Sequence, residues 1–203
     1  MKIAIIGTGN VGGALATAWA KAGHQILLGV RDTSHFKGVE LLQNPNTTAK
    51  SIEDAAAEAD VILVATPPQF AEELAGAFGD VSGKVIIDAT NAVRTRPENY
   101  PTAYHAFSAL TGAEVVKCFN STGYENMLDP VYGGEGIDMF MAGDSDAAKK
   151  TARQLALDAG FGDCLDFGKS DKVVLLEQFA LSWINLAIMQ GHGRNMAFKV
   201  VRR

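Results

Sequence analysis

A glycine-rich motif at the start of the chain places the strongest constraint on its fold. Residues 2–12 read Lys-Ile-Ala-Ile-Ile-Gly-Thr-Gly-Asn-Val-Gly, so a short apolar run meets a G-x-G-x-x-G loop, and residues 13–21 have the pattern of a helix. In this context Gly7 permits a tight turn, Gly9 lets the backbone approach a pyrophosphate, and Gly12 lets the helix pack closely on the sheet. The helix N-terminus supplies free amides and a positive dipole for the phosphates. The motif predicts a dinucleotide site; the alternative is a glycine-rich turn without a ligand.

Composition and charge narrow the class of protein further. The chain has 203 residues, of which 47% are hydrophobic, and a formal net charge of −5, whereas proteins that bind nucleic acid are usually basic. Cys118 and Cys164 each lie in an apolar segment, which indicates buried thiols rather than a disulfide framework or a metal site. The first apolar run ends at Gly7 and is too short for a signal peptide. We therefore expect a cytoplasmic protein that binds neither nucleic acid nor a metal ion.

Short apolar runs alternate with amphipathic stretches along most of the chain, which is typical of a parallel sheet covered by helices. The predicted fold class is α/β: a Rossmann-type, doubly wound, mainly parallel sheet with a short C-terminal helical extension. We expect a dinucleotide-binding domain at residues 1–168, and an apolar helix and tail at residues 169–203 as part of the same unit. The predicted strands cover residues 3–6, 25–29, 47–50, 61–65, 85–87, 114–119, 137–142 and 164–167. The predicted helices cover residues 10–22, 35–43, 51–59, 72–78, 146–159 and 170–190, and residues 121–136 are predicted as a loop.

The last predicted helix, residues 170–190, is apolar around most of its circumference. Gln178, Ser182 and Asn185 form one polar stripe along it. This stripe and Glu177 argue against a membrane span, since polar groups are costly in the bilayer. A helix this apolar is expected to be buried nearly all round.

A chain of this length already has a sheet core, so the apolar helix needs another surface to cover it. We expect a homodimer that places Phe179, Trp183 and Leu186 at or near the subunit interface. The polar stripe would then face a ligand groove or the opposite subunit, because unpaired amides in a dry interface are costly. The alternative is an ordinary terminal helix with a wide core face.

The loops that follow the predicted strands identify where a ligand would bind. In an open α/β sheet, ligands bind beyond the carboxyl ends of the strands. Five such loops are polar, small or proline-containing, which suits a surface that contacts a ligand. Their residues that we expect at the ligand are Gly7, Val30, Thr66, Pro67, Pro68, Thr90, Asn91, Asn120 and Gly123.

The end of the second predicted strand indicates which nucleotide is preferred. Sites that prefer NAD usually place Asp or Glu there to accept hydrogen bonds from the ribose, but this strand reaches Val30 without an acid and Arg31 follows. A guanidinium suits a 2′-phosphate by its charge and by stacking on the adenine. His35 and Lys37 lie close enough in sequence to help neutralise that phosphate. The residues therefore favour NADP over NAD, with Asp32 capping the next turn; the alternative for Arg31 is a solvated surface charge.

Several segments together resemble one known family. They are residues 1–12, 28–32, 117–123, 143–144, 183–187 and 197–199. In these segments the chain is similar to the NADPH-dependent reductases of the deazaflavin coenzyme F420, and the resemblance covers almost the whole chain. The Phe119-Asn120 motif and the tail make it more specific than a general dinucleotide-binding match. The resemblance implies hydride transfer between NADP and a stacked deazaflavin or flavin ring, with a small-molecule electron acceptor as the partner.

The resemblance also implies roles for individual residues. The residues that would cradle the pyrophosphate are Thr8, Gly9, Asn10 and Val11. Arg31 would hold the 2′-phosphate. The residues that would surround the nicotinamide are Thr66, Pro68, Thr90, Asn91 and Gly123. Two positions depart from the family pattern: Val30 stands where a serine is common, which removes a hydroxyl from the phosphate pocket, and Asn91 is followed by Ala92 rather than proline.

The sequence contains no convincing acid–base dyad, and we expect no catalytic side chain. Hydride transfer between two bound rings needs proximity and orientation more than a protein nucleophile. The histidines to consider for such chemistry are His105, beyond the fifth predicted strand, and His192, after the apolar helix; the alternative for each is a structural or solvated histidine. Two other function classes stay open. One is an NADPH-dependent imine, carbonyl or metal-chelate reductase, and the other is a sensor that binds NADP without turnover.

Overall fold

Six parallel strands form the centre of the sheet in the computed structural model, which describes all 203 residues. They are β1 (Lys2–Ile6), β2 (Gln25–Val30), β3 (Thr47–Ser51), β4 (Val61–Val64), β5 (Val85–Asp88) and β6 (Glu114–Cys118). Their spatial order is β3-β2-β1-β4-β5-β6, in which the chain starts at the centre and winds outward in both directions. The predicted Rossmann-type sheet is confirmed.

Two further strands extend the sheet beyond β6. A two-stranded hairpin of β7 (Val131–Tyr132) and β8 (Glu135–Gly136) stands apart from the main sheet. It is followed by β9 (Asp138–Ala142), which pairs antiparallel with β6, and β10 (Asp163–Asp166) then pairs parallel with β9. The sheet is therefore parallel in its first six strands and mixed only at this edge.

Helices cover both faces of the sheet. They are α1 (Asn10–Lys21), α2 (Ile52–Glu58), α3 (Ala71–Ala77), α4 (Ala103–Leu110), α5 (Tyr124–Leu128), α6 (Asp146–Asp158) and α7 (Val173–Ile184). Helices α1, α5 and α6 contribute side chains to the core on one face, and α2, α3, α4 and α7 contribute to the core on the other. Trp19 connects two helices of the first face, because its Nε1 donates to the Leu155 carbonyl at 2.8 Å.

Two predicted helix boundaries rest on local chemistry that the structure confirms. Gly23 follows Ala22, the C-cap of α1, with φ +90°, a left-handed conformation that glycine adopts without strain. Ser51 precedes α2, and its Oγ accepts a hydrogen bond from the Asp54 amide at 3.1 Å. This bond satisfies one of the free amides of the first turn.

The secondary-structure predictions fail in three segments. The segment predicted as a helix at 35–43 forms only a 3-10 turn at Val39–Gln43, because Gly38 before it has φ +89°. Helix α4 was not predicted, although Tyr104 and Phe107 on it are buried. The predicted loop at 121–136 contains α5 and the β7–β8 hairpin. Elements this short carry too few residues for an apolar period to show.

The C-terminal helix is continuous over nearly the whole predicted length. A 3-10 turn at Ser170–Lys172 leads into α7, and a π-helical turn at Asn185–Met189 follows it. By length and composition alone, the segment Ser170–Met189 could cross a membrane, and 33% of its most apolar window is buried inside the fold. Glu177 lies in the buried part, where it contacts groups of the sheet.

The prediction of how this helix is buried was only half right. Phe179 and Trp183 face their own chain, because the C-terminal tail folds back over them. The Phe179 ring lies 4.6 Å from that of Phe198, and Trp183 Nε1 donates to the Met196 carbonyl at 2.7 Å. Trp183 is therefore buried within its own chain, Phe179 and Leu186 each stay partly exposed, and the homodimer remains a prediction. The opposite face of the helix is exposed; its large apolar side chains are Val174, Leu175, Leu181, Ile188 and Met189.

The two cysteines are buried free thiols, as predicted. Cys118 and Cys164 lie on β6 and β10, with their Sγ atoms 3.7 Å apart. Burial raises the pKa of the Cys118 thiol well above its ordinary value, since a thiolate would be poorly solvated there. Both side chains therefore act as small apolar core residues.

Candidate functional site

Two of the three motif glycines are required by the fold itself. Gly7 follows β1 with φ +103°, and a Cβ on it would lie 2.6 Å from the Ala65 carbonyl oxygen. A Cβ on Gly12 would lie 1.9 Å from the Gly7 carbonyl oxygen. Such contacts are far inside van der Waals distance, so any side chain at either position would displace the turn that joins β1 to α1.

The middle glycine, Gly9, has no such reason to be a glycine. It has φ −78° as the N-cap of α1, and a Cβ on it would meet nothing within 4 Å. No side chain caps this helix, and its first turn holds no acidic residue. Its first amides are therefore free to bind an anion beside Gly9, which is the arrangement that binds pyrophosphate in nucleotide sites.

A cleft of about 500 Å³ opens next to this turn, beyond the carboxyl ends of β1, β2 and β4. The predicted site residues that line it are Gly7, Thr8, Val30, Arg31, His35, Thr66 and Pro67, together with Lys37. The Thr8 hydroxyl donates to the Lys37 carbonyl, and so joins the glycine-rich turn to the loop that follows β2. The structure thus brings residues from three separate loops into one cavity.

Arg31 gives one end of this cleft an uncompensated positive charge. The salt bridges that arginines make in this structure are those of Arg153 and Arg194, so no carboxylate pairs with Arg31. Asp32 also lines the cleft, but its Oδ1 is engaged in a local turn, where it accepts from the Ser34 amide at 2.9 Å and from the Ser34 hydroxyl at 2.6 Å. These hydrogen bonds lower the pKa of Asp32, and they confirm that it caps the turn.

One wall of the cleft was missed by the sequence analysis. Its residues outside the predicted loops are Phe36, Ile52, Phe70, Glu73, Leu74 and Ala77, which come mainly from α2 and α3. Phe70 and Leu74 make this wall apolar beside the charged Arg31 end, a combination that suits an adenine ring next to a phosphate. The sequence feature that could have indicated this wall is the helix predicted after β4, because that helix begins at the same edge of the sheet.

A second group of polar side chains lies at the ends of β4, β5 and β6. Thr66 Oγ1, Thr90 Oγ1 and Asn120 Oδ1 are buried and have no hydrogen-bond partner in the chain. A buried polar atom without a partner costs about 1–3 kcal/mol, so such atoms are rare in a finished core. Three of them at neighbouring strand ends mark a place where a ligand can supply the missing partners.

Asn120 is held in this position by a reciprocal amide pair. Its Nδ2 donates to Asn91 Oδ1 at 2.9 Å, while Asn91 Nδ2 donates to the Asn120 carbonyl at 2.8 Å. Phe119, just before it, is buried with φ +59°, a left-handed conformation that costs an ordinary residue of order 1 kcal/mol or more. The surrounding core therefore stabilises a strained backbone that turns Asn120 towards Asn91.

A buried ionic cluster lies directly beneath this polar group, and the sequence analysis did not find it. Lys117 on β6 is 0% exposed, and its Nζ donates to Asp88 Oδ2 at 2.9 Å and to Glu177 Oε1. Asp88 Oδ1 accepts from the Thr90 amide at 2.9 Å, and Glu177 Oε2 accepts from the Ala92 amide at 2.9 Å. We call these three side chains the buried triad. It joins β5, β6 and α7 to the loop that carries Thr90 and Asn91. The sequence feature that could have indicated this cluster is a lysine within an otherwise apolar strand.

The remaining predicted residues lie near the site but not in the cleft. Pro68 is buried and begins the 3-10 turn Pro68–Phe70. Gly123 lies against Trp183, where a Cβ would come within 2.6 Å of the indole, so packing alone explains this glycine. His105 contacts Thr102 at 2.8 Å, and burial lowers its pKa. His192 is exposed in the tail.

Comparisons with known proteins agree with this geometry. Residues 2–92, which include the glycine-rich turn and Arg31, match the family model described as NADP oxidoreductase, coenzyme F420-dependent. An F420-dependent NADP reductase from Methanothermobacter marburgensis is 27% identical over 209 residues, which cover 93% of this chain and 93% of that protein.

Two solved structures show how far the likeness extends. A protein from Arthrobacter sp. FB24 that is assigned as an F420-dependent NADP reductase is 28% identical, covers 100% of both chains and has a TM-score of 0.84. A reductive aminase from Aspergillus terreus is 20% identical with a TM-score of 0.68, and covers 94% of this chain but 62% of its own; it shares the fold alone. The resemblance of the sequence segments is thus confirmed: over almost its whole length the chain is similar to F420-dependent NADP reductases.

Proposed function

We propose that this chain binds NADPH along the carboxyl edge of the sheet and transfers its hydride to a deazaflavin or flavin ring. The observation that carries the proposal is the uncapped N-terminus of α1 beside a cleft that contains the unpaired Arg31. Free amides and a free guanidinium are the groups that a pyrophosphate and a 2′-phosphate require. In this proposal Thr8, Gly9, Asn10 and Val11 surround the pyrophosphate.

The nicotinamide half of the cofactor would lie over the polar group at the ends of β4, β5 and β6. Thr66, Thr90 and Asn120 offer buried atoms without partners, which could bond the ribose hydroxyls and the carboxamide. Asn91 holds Asn120 in place, and the loops of Pro67, Pro68 and Gly123 shape the surroundings. We include residues 1–168 and 169–203 in one functional unit, because α7 contributes Glu177 to the buried triad below this half.

The chemistry follows from position rather than from an acid or a base. When bound, the nicotinamide supplies the hydride. The chain's own task is to hold the ring with one face on the strand ends and to leave the other face open to an acceptor. Placing two reactants in contact with the correct orientation can supply a large part of the barrier reduction. Reduction of the acceptor ring also consumes one proton, which solvent can supply at the open face, so the lack of an acid–base dyad is consistent with this mechanism.

The identity of the proposed acceptor is supported by the names of similar proteins. The similar protein from Methanothermobacter marburgensis is named for coenzyme F420, which makes a deazaflavin the first acceptor to test. A ring of this kind is flat and apolar, and can stack on a nicotinamide. We also propose a cytoplasmic location, where both soluble compounds would be available.

The test is oxidation of NADPH by the pure protein, followed by the loss of its nicotinamide absorbance. The panel of acceptors consists of the deazaflavin, FMN, FAD, a ferric chelate, a cyclic imine and an aldehyde. We expect turnover with the deazaflavin or a free flavin and none with the imine or aldehyde. Turnover with the imine or aldehyde alone would contradict the proposed acceptor class, and tight NADPH binding without turnover on any acceptor would indicate a sensor.

We further propose that the exposed face of α7 pairs with a second copy of this chain. Val174, Leu181 and Ile188 recur every seven residues, with Leu175 and Met189 next to them, so the five lie on one side of the helix. The exposed polar stripe of Gln178, Ser182 and Asn185 lies on the same side, among them. Met189 is 73% exposed, and five exposed large apolar side chains on one side of a single helix are uncommon on a monomer.

Light scattering at micromolar concentration tests this pairing. We expect a mass of twice 21.5 kDa for the wild type. Leu175→Ser with Ile188→Ser should give a monomer, whereas Leu157→Ser, which changes an exposed leucine on α6, should leave the dimer intact. A wild-type mass of 21.5 kDa would contradict the pairing and leave the nucleotide site unaffected.

A further inference from the structure

The buried triad carries more negative than positive charge. All four carboxylate oxygens of Asp88 and Glu177 accept hydrogen bonds from N–H groups, namely the Lys117 ammonium and the amides of Thr90 and Ala92. A protonated carboxyl has to donate its own hydrogen, and no acceptor faces these oxygens. Both carboxylates are therefore ionised, and with one lysine the cluster has a net charge of −1.

No other positive group in the chain balances this charge. The ion pairs of Asp88 and Glu177 are those with Lys117 alone. His105 interacts with all three side chains of the triad, and burial lowers its pKa, so it is neutral near pH 7. A buried charge without a counter-charge is costly, and it strongly favours a cation that comes close to it.

The position of the triad shows where such a cation would be. Asp88 bonds the Thr90 amide and Glu177 bonds the Ala92 amide, each at 2.9 Å, so the two carboxylates lie immediately beneath the loop of residues 89–92. Thr90 and Asn91 in this loop are the residues that we place at the nicotinamide. The oxidised nicotinamide ring has a positive charge and the reduced ring has none, while the rest of the cofactor is the same in both.

We infer that Asp88 and Glu177 stabilise the oxidised nicotinamide relative to the reduced one, and so make the bound cofactor a stronger hydride donor. This inference rests on the proposed placement of the nicotinamide. The two residues act through space and through the loop, and neither needs to touch the reacting atoms. They are positioning residues that also set the charge around the ring. Hydride transfer creates the positive charge that they favour, so their effect is larger after transfer than before it.

The test compares the dissociation constants of NADP⁺ and NADPH for the wild type and for Glu177→Gln, measured by the quenching of tryptophan fluorescence. Loss of one negative charge several ångströms away in a partly screened interior should raise the ratio Kd(NADP⁺)/Kd(NADPH) by roughly three- to tenfold. A tenfold change in this ratio equals a shift of about 30 mV in the potential of the bound two-electron couple. Glu114→Gln is the matched control. It removes the same charge from the opposite end of β6, where Glu114 is exposed, and should leave the ratio unchanged.

A second variant keeps the test decisive if Glu177→Gln does not fold. Asp88→Asn removes the same charge from a different element and should shift the ratio in the same direction. Equal weakening of both nucleotides in a folded variant would overturn the inference, because it would show a role in folding or binding alone. An unchanged ratio with tight binding would overturn it as well, without affecting the proposed function. Absence of binding of either nucleotide to the wild type would overturn the proposed function and this inference together.

Discussion

Gly9→Val is expected to abolish nucleotide binding and leave the fold intact. The structure shows open space where the new side chain would start, with no atom within 4 Å of a Cβ at this position. The φ of −78° also suits a branched residue. The valine would instead occupy the space above the free amides of α1, where a pyrophosphate has to approach. Loss of several charge-assisted hydrogen bonds should cost about 3 kcal/mol or more, roughly 100-fold in Kd.

The matched control is the same substitution three residues later. Gly12→Val places a side chain against the Gly7 carbonyl oxygen, 1.9 Å from the new Cβ, so it should destabilise the fold by about 3 kcal/mol or more. Thermal unfolding and calorimetric titration with NADPH separate the two effects. A folded Gly9→Val protein that binds NADPH like the wild type would show that the cofactor does not lie on this turn.

Arg31→Ala should weaken NADPH binding by about 1–3 kcal/mol, roughly 5- to 150-fold, and leave NADH binding nearly unchanged. The reason is that NADH has no 2′-phosphate, and the unpaired guanidinium at the cleft is positioned to bind that group. Val30 provides no hydroxyl that could replace it. The control is Arg153→Ala, which removes the same charge from α6. There Arg153 forms an exposed salt bridge with Asp163 on β10 and does not line the cleft.

Calorimetry with both nucleotides on both variants distinguishes the possible roles of Arg31. A similar loss for NADPH and NADH would indicate that the guanidinium stacks on the adenine without reading the 2′-phosphate. A loss in Arg153→Ala of the same size as in Arg31→Ala would indicate that only the overall charge of the protein matters. In either case the preference for NADP would need another explanation.

The central part of the fold could be predicted because its signals are local and repeated. Strands β1, β2, β4 and β5 each contain an uninterrupted apolar run. Gly7 and Gly23 mark turns by their positive φ, and Ser51 marks a helix start by the hydroxyl that caps it. The same signals located the glycine-rich turn and the cleft that contains Arg31. The position of Arg31 at the cleft follows from the length of β2. The residues that lie beside Arg31 in the cleft follow from the order of the strands in the sheet.

The parts that could not be predicted depend on contacts between distant segments. Lys117 and Glu177 are 60 residues apart, and nothing in either neighbourhood shows that they share one ion pair. Phe179 and Trp183 look like interface residues in an apolar helix, but the position of Phe198 over Phe179 follows only from the path of the tail. The strained φ of Phe119 has no sequence signal, because the core imposes it.

The most direct test of this account is a calorimetric titration of the wild-type protein with NADPH and with NADH. The glycine-rich turn, Arg31 and the unpartnered atoms of Thr90 and Asn120 are all assigned to one cofactor. The account predicts a single site per chain that binds NADPH at least about tenfold more tightly than NADH, the effect of roughly 1.4 kcal/mol from the 2′-phosphate. Equal affinity for the two nucleotides, or no binding of NADPH, would contradict it.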